Sequence, residues 1–508
     1  MGGGILQLVA YGAQDIYLTG TPQITFFKIV YRRHTNFSLE SIEQTFNGSA
    51  DFGKKVTCTV SRNGDLIHRT YLCVTLPNVE IKPSLAPAGG QVGFRWLNWL
   101  GHALIKYVEL EIGGQRIDKH WAAWLHIWNE LTQTAGHAAG YANMVGNTPD
   151  LTKVTWVNST DTSSTIVNSS YNTLYIPLQF WFCRNPGLAL PLIALQYHEV
   201  KFNLEFEHLS NLYWSGTRAS STAAPVTDLS KVVPPSLSYA SIYIDYVYLD
   251  TEERRKYAQV SHEYLIEQLQ FPGDESTSNT NYKVKLNFNH PCKELVWVVQ
   301  PIDNITDYSS GAPPVGSVPY GKQWFNFTDS YNDDAQAWTA DWNYFLAGAG
   351  GGTSAAAGMY SYNPSNQNYS VGSTDFPSGN SASTYSEALP KTGINPVAWA
   401  KIQLNGHDRF TGRDGRYFNL VQPFQHHTNV PAMGINVYSF SLLPEEHQPS
   451  GSCNMSRIDN ATLQLTLTPN STAYPNGGGS RNVNIKVFAV NYNVLRIMSG
   501  MGGLAYSN

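Results

Sequence analysis

The feature that most constrains this chain is that it repeats itself. Ile42-Glu43-Gln44 returns as Ile266-Glu267-Gln268, and Lys54–Cys58 (KKVTC) returns as Tyr282–Leu286 (YKVKL). Glu109–Gly114 (ELEIGG) returns as Lys401–Gly406 (KIQLNG), Val200–Phe206 as Ala461–Leu467, and Ile242–Leu249 as Val483–Val490. The order is kept and the offset drifts only where intervening loops differ, which is the mark of an internal duplication. The repeated segments are strand-like. Val200, Phe202, Leu204 and Phe206 alternate with Lys201, Asn203, Glu205 and Glu207, and Ala461, Leu463, Leu465 and Leu467 alternate with Thr462, Gln464 and Thr466. A period of two means one buried face. With 508 residues the chain is too long for one ordinary core. Two tandem β-sandwiches follow, and strand spacing alone leaves jelly rolls and immunoglobulin-like sandwiches both open.

The parts between the repeats refine this. Residues 26–250 form a first half, 251–261 a linker opened by the charged run Thr251–Lys256, and 262–508 a second half. Leu39–Phe46 reads as the first strand, and Lys55–Val60 as a strand entering a hairpin turn at Arg62–Asp65. Val108–Ile112 runs into a hairpin at Gly113-Gly114. One helix is expected where Trp121, Trp124, Leu125, Trp128 and Leu131 line a face, packed on the sandwich. Residues 133–173 and 210–238 read as polar loops. Tyr438–Leu443 reads as a strand, broken by the turn-forming block Pro444–Gly451. Residues 303–396 are the largest departure between the halves. Their Gly, Ser and Asn content suggests disorder, yet Trp324, Phe325, Phe327, Tyr331, Trp338, Trp342, Tyr344 and Phe345 argue for an ordered loop tower.

Composition narrows function more than fold. Only 14% of residues are charged while 13% are aromatic, so much of the surface is expected to be covered by partners. A formal charge of −5 and the lack of a basic tail argue against direct contact with nucleic acid. Five scattered cysteines, Cys58, Cys73, Cys183, Cys292 and Cys453, without a CxxC pair, suit buried free thiols in a reducing compartment. The N-terminus lacks the pattern of a secretory signal, and no apolar run approaches the length of a membrane span. Leu6 stands where a myristoylation signal would need Ser or Thr, so the product is expected to be soluble and cytosolic in origin. Residues 1–25 nevertheless carry apolar Ile5, Leu6, Leu8 and Val9 and aromatic Tyr11, as an arm lying against a neighbour would.

A search for catalytic chemistry yields nothing that assembles. Gly48–Lys54 has P-loop spacing, but Lys55 replaces the Mg²⁺-holding Ser or Thr and the run lies between strands. His426, His427 and His447 have no second ligand pair at zinc spacing. Glu445-Glu446 and Asp333-Asp334 read as solvated turns. No catalytic residue, metal ligand or cofactor site is therefore assigned. Among many Asn-x-Ser/Thr sequons, Asn304, Asn326 and Asn368 lie on long loops and would be the accessible candidates for glycans. A carbohydrate-binding β-sandwich would also explain the aromatic content, but it would need a convergent carboxylate pair to be hydrolytic.

Several long stretches resemble one family. LVAYGAQD-x-YLTG-x-PQITFFK near the start, ELEIGGQRIDKHW (109–121), NPGLALPLIALQYHEVKF (185–202), YLDTEERRKYAQVSHEYLIEQLQF (248–271), QPSG-x-CN-x-SRIDN (448–460) and NYNVLRIMSGMGGLAYSN (491–508) are similar to blocks of the major capsid proteins of nucleocytoplasmic large DNA viruses, most of all the chlorella-virus type. The resemblance implies an all-β double jelly roll, two tandem eight-stranded sandwiches with long loop insertions and few short helices. It implies a homotrimeric, pseudo-hexameric capsomer tiling an icosahedral shell, with minor capsid and penton proteins as partners and an internal membrane nearby that the chain does not span. On that view Ile5, Leu6, Leu8 and Tyr11 belong to an arm at the capsomer base, and residues 303–396 form the outer face. Pro449, Ser450, Gly451, Arg457, Asp459 and Asn460 form a structural signature that fixes the connection into the last strands, with Arg457 and Asp459 expected to pair.

Overall fold

A computed structural model describes residues 3–506 apart from 25, 27–28, 30, 168–171, 220–225, 307–320, 330–360, 364–367, 371–393 and 473–479. Among the described residues, sixteen principal strands build the two sandwiches, with shorter strands added along their sheets. The first eight are β1 (Phe37–Gln44), β2 (Lys55–Thr59), β3 (Leu66–Thr75), β4 (Ile105–Ile112), β5 (Gln115–Trp121), β6 (Thr173–Pro177), β7 (Val200–Phe206) and β8 (Tyr239–Leu249). The next eight are β9 (His262–Gln270), β10 (Asn281–Lys285), β11 (Pro291–Pro301), β12 (Val397–Leu404), β13 (His407–Asp408), β14 (Ile435–Ser439), β15 (Ala461–Leu467) and β16 (Val483–Met498).

The duplication is visible in the pairing. The first sandwich has sheets ordered β1-β8-β3-β6 and β2-β7-β4-β5, and the second has β9-β16-β11-β14 and β10-β15-β12-β13. Adding eight to each label converts one set into the other, and all these pairings are antiparallel. This is the strand order of two jelly rolls. The alternation read from the sequence is the burial observed: β7 and β15 each show a buried residue at every second position. Even the tight turns match. Gly113 and Gly114 (φ +58° and +85°) join β4 to β5, while Asn405 and Gly406 (φ +51° and +81°) join β12 to β13. Two consecutive positive φ values at a two-residue connection are what a type I′ hairpin requires.

Some expectations are corrected. Arg62–Asp65 is not a hairpin turn, because β2 pairs with β7 and β3 with β8, so the chain there crosses from one sheet to the other. Residues 133–173 are not simply a loop. They hold helix Ala135–Met144, a short helix Pro149–Thr152, and strands Thr155–Asn158 and Thr165–Val167. Within 210–238, Tyr213–Arg218 pairs with Gln91–Trp96, which also pairs with Thr155–Asn158, giving a side sheet that the polar composition concealed. The strand expected at Tyr438–Leu443 is shifted to Ile435–Ser439, and Leu442 and Leu443 are exposed. The run at Thr251 continues as a helix to Gln259, capped by the Asp250 carboxylate on the Thr251 N–H. Of the expected loop tower, Tyr331, Trp338, Trp342, Tyr344 and Phe345 lie outside the described residues, as do Asp333 and Asp334.

Each sandwich has its own core, one centred on Phe94, Phe180, Phe202 and Tyr246, the other on Leu295, Trp297, Leu463 and Ile485. β16 is longer than its counterpart β8, 16 residues against 11. Its far end carries Leu495 and Ile497, together with Ile266 of β9, into the first core. Cys58, Cys73, Cys183 and Cys292 are buried free thiols and Cys453 is half-buried.

Candidate functional site

The most elaborate chemistry in the molecule lies where the two sandwiches meet. Helix α1 (Ala122–Thr132) follows β5 of the first sandwich and covers the outer face of the β9-β16-β11-β14 sheet of the second. It was expected to pack on its own sandwich; Leu125 does, but Ala123, Trp124, Ile127, Trp128 and Leu131 pack on Leu269, Val296, Val298, Ile435, Val437, Phe488 and Val490. The Trp124 and Phe488 rings lie 5.5 Å apart. The helix is apolar on two sides because it serves two cores at once. Trp121 stays half-buried at its start and meets Phe271 of the second sandwich edge-on at 5.0 Å.

Charged groups are buried beside this apolar seam. Lys293 on β11 is fully buried and donates to Glu267 on β9 at 2.6 Å. Arg184 of the first sandwich approaches the other Glu267 oxygen at 3.0 Å, its guanidinium 4.6 Å from the Trp128 ring centre. Burial would raise the Glu267 carboxyl, but Arg184, His447 and Lys293 bring it down to about 2. Next to Lys293 on β11, Glu294 meets His427, which sits between two carboxylates, Nε2 2.9 Å from Glu294 and Nδ1 3.0 Å from Glu445. Burial would lower its pKa, yet Glu294 and Glu445 push it up to about 9. Glu445 is therefore not in a solvated turn; it also accepts from the Thr428 N–H and hydroxyl. Buried ion pairs of this kind add little net stability but are costly to leave half-made, which favours one docking geometry over alternatives.

Further ties cross the seam. The Leu269 N–H donates to Asp118 at 3.1 Å, Gln268 donates to the Ile117 carbonyl, and Ala432 N–H donates to Glu130 at 3.2 Å. Past β16, strand Met501–Leu504 folds back along it, and Tyr197 N–H of the first sandwich donates to the Gly500 carbonyl at 3.0 Å. Residues 321–329 lie on the first sandwich too: Trp324 Nε1 donates to the Asn211 carbonyl at 2.7 Å, and Phe325 stacks on His126 at 4.5 Å. Burial pushes His102 down to about 3 and, with His102 nearby, lowers His126 well below the usual range.

The residues singled out from the sequence fall in different places. Asn304 is fully buried, its Nδ2 donating to the Asn326 and Thr328 carbonyls at 3.3 Å. Asn326 is buried as well, with Nδ2 on Gln323 and Oδ1 accepting from Thr328. Neither is the accessible loop asparagine expected, because both amides close the base of the insertion. Asn368 begins a short strand, Asn368–Ser370, paired with Ser361–Asn363. Pro449–Gly451 folds onto 440–443: Ser450 Oγ accepts from the Leu443 N–H at 3.0 Å, and Gly451 has φ +137° where a Cβ would meet the Phe440 carbonyl. Arg457 and Asp459 are exposed and form no ion pair with one another. Asn460 instead clasps the β12–β13 turn, its N–H donating to Asn405 Oδ1 at 3.0 Å and its carbonyl accepting from Asn405 N–H at 2.7 Å. Ile5, Leu6, Leu8 and Tyr11 lie in and just after a short helix, Gly3–Val9, with no buried residue. The seam itself was missed, although an apolar helix with three Trp followed by a return of the strand pattern was its signal.

Comparison with known proteins agrees with this architecture. The family model "Major capsid protein N-terminus" matches residues 25–250, and "Large eukaryotic DNA virus major capsid protein" matches residues 253–503. Major capsid proteins of Phaeocystis pouchetii virus and Paramecium bursaria Chlorella virus 1 are 53% and 40% identical, each aligned over 100% of both chains. The chain in the quasi-atomic model of the PBCV-1 virus capsid is 36% identical with a TM-score of 0.61, over 95% of this chain and 100% of that one. Faustovirus major capsid protein, 14% identical with a TM-score of 0.64 over 96% and 94% of the two chains, shares the fold.

Proposed function

Because the chain belongs to the major capsid proteins of large eukaryotic DNA viruses, and so serves as a structural, non-enzymatic component of an icosahedral viral shell, we propose that it acts as a homotrimeric, pseudo-hexameric capsomer subunit. The observation that carries this is the strand order that repeats with every label raised by eight. One chain thereby supplies two wedges of the same topology, and three chains supply six. A sparsely charged surface suits the wide obligate contacts such assembly needs, on the order of 2,000–5,000 Å² or more each.

The finer roles belong to the same reading. Residues 26–250 and 262–508 are the two wedges, joined by 251–261. The arm 1–25 holds the capsomer from beneath through Ile5, Leu6, Leu8 and Tyr11, whose exposure in the single chain supports a covered position in the shell. Minor capsid and penton proteins and neighbouring capsomers are its partners there. Residues 303–396 rise on the outer face, and Asn368 is the remaining loop candidate for a glycan. Pro449, Ser450, Gly451 and Asn460 hold the approach to β15. Assembly takes place in the host cytoplasm, over an inner membrane, without direct contact with the genome. Among the described residues no helix is long and apolar enough to cross a membrane.

Light scattering of the purified chain tests the central statement. A species of three times the 56.3 kDa chain mass that resists dilution is expected, and a folded monomer would sink the capsomer reading. For the arm, deletion of residues 2–20 is expected to leave trimers intact and prevent normal shells from forming.

A further inference from the structure

The seam inside the chain shows what covers the outer face of one sheet, and duplication supplies a second copy of both partners that stands exposed among the described residues. In the seam, the helix between the fifth and sixth strands of the first sandwich lies on the sheet β9-β16-β11-β14. The second sandwich carries a helical stretch at the same place, between β13 and β14: Tyr417–Val421 followed by α2 (Gln422–His426). Its Phe424 is 79% exposed, with Val421 beside it. His426 Nδ1 bonds the Leu442 carbonyl at 2.9 Å, which brings exposed Leu442 and Leu443 to the same spot. The sheet equivalent to the covered one is β1-β8-β3-β6, whose outer face holds Tyr71 stacked on Tyr243 at 5.4 Å and Tyr175 edge-on to Tyr71 at 6.1 Å. Beside these rings opens a cleft of about 800 Å³ lined by Tyr71, Tyr175, Trp128 and Tyr141, with Arg184 and Glu445 of the seam also in its wall.

We propose that the occupant of this face is a second copy of the chain, with Phe424 of one subunit entering the Tyr71–Tyr175 cleft of the next. The proposal rests on the capsomer reading and deepens it by naming the contact. Within the chain, sandwich one reaches sandwich two by placing a helix on a sheet; between chains, sandwich two reaches the next sandwich one by the same move. A head-to-tail contact repeated in this way closes into a ring when its rotation permits, and six sandwiches make three chains. Charge agrees in sign. Around the donor helix Arg409, Arg413 and Arg416 are exposed, with Asp408 and Asp414 among them. The receiving sheet presents Glu40 and Glu43 at its β1 edge and Asp245 on β8, with Arg69 as its cation. Tyrosine and arginine are the residues enriched in interfaces between separable partners.

The test uses the full chain. Phe424→Asp places a charge at an exposed position, so the subunit is expected to melt as the wild type does while its mass in light scattering falls about threefold. In parallel, differently tagged Phe424→Cys and Tyr175→Cys chains are co-expressed and treated with a short bismaleimide. A covalent pair carrying both tags is expected, and Tyr175→Cys paired with wild type should not give it. Trimeric wild type with a Phe424→Asp variant that is still trimeric, or with no cross-link, overturns this contact and leaves the capsomer standing. A monomeric wild type overturns both.

Discussion

Val296, Val298, Phe488 and Val490 face outward from β11 and β16, whereas the matching face of β3 and β8 presents Tyr71, Tyr243 and Asp245. The two faces have the same strand order and the same antiparallel partners. One is covered permanently by α1 of the same chain and has become core-like, aliphatic and dry, with its charges sealed in pairs. The other keeps hydroxyl-bearing rings: Tyr243 donates to Glu43, and Tyr71 lies 3.3 Å from the Ser41 hydroxyl. A surface that must survive in water before it meets a partner cannot be built of Val and Phe alone. The difference therefore records when each face is buried, during folding or after it.

Truncating one aromatic residue at each face separates the two most clearly. Trp128→Ala in the seam is expected to destabilise the chain by about 3–5 kcal/mol, seen as a lower midpoint in denaturant. Tyr243→Ala on the open face should cost the isolated chain under about 1 kcal/mol; equal losses would mean that the open face is already a core. Lys293→Met leaves Glu267 buried with Arg184 as its remaining close cation, and is expected to cost about 3 kcal/mol, with much of the loss recovered in Lys293→Met/Glu267→Gln. If the double variant is no better, the pair is not coupled.

Acidity separates the two regions as well, since Glu267 and His427, both strongly shifted, lie in the seam. His427, near 9 in the folded chain against an ordinary 6.5, contributes fully below pH 6.5, and its contribution is lost as pH rises through 9. The stake is about 3 kcal/mol, so the melting temperature should fall between pH 7 and 9.5, and His427→Gln should flatten that slope. Glu267, near 2 against 4.5, contributes fully above pH 4.5 and its share is lost as pH falls through 2. His102, held near 3, works in the same acid direction, because only the unfolded chain takes up its proton below 6.5. A modest effect, larger than that of Tyr243→Ala, is expected at Gly451. Alanine there must adopt φ +137° and bring its Cβ to 2.8 Å from the Phe440 carbonyl, at a cost of about 1–2 kcal/mol.

The strands were legible because each half-buried strand announces itself by period, as at β7 and β15, and because duplication let weak signals be read twice. What remained hidden was whatever depends on partners distant in sequence. Glu445 looks like a solvated turn residue until His427 is placed beside it. Asn304 and Asn326 look like loop asparagines until the base of the insertion closes around them. The side sheet at Tyr213–Arg218 was obscured by a polar, Ser-rich neighbourhood, although Tyr213 and Trp214 themselves are buried. A helix apolar on two sides, α1, was the one sequence clue to the seam, and its second side was the information.

The length of β16 has a consequence in time. It is the last of the sixteen strands to be synthesised, yet it lies between β9 and β11 and sends Leu495 and Ile497 into the first core. Until it emerges from the ribosome, the second sandwich lacks a central strand, and α1 has no finished sheet to lie against. Trp124 and Trp128 must wait exposed while most of the second half is translated. Nascent chains of this protein are therefore candidates for chaperone capture at α1, and a pause in translation just before Val483 would lengthen that exposure.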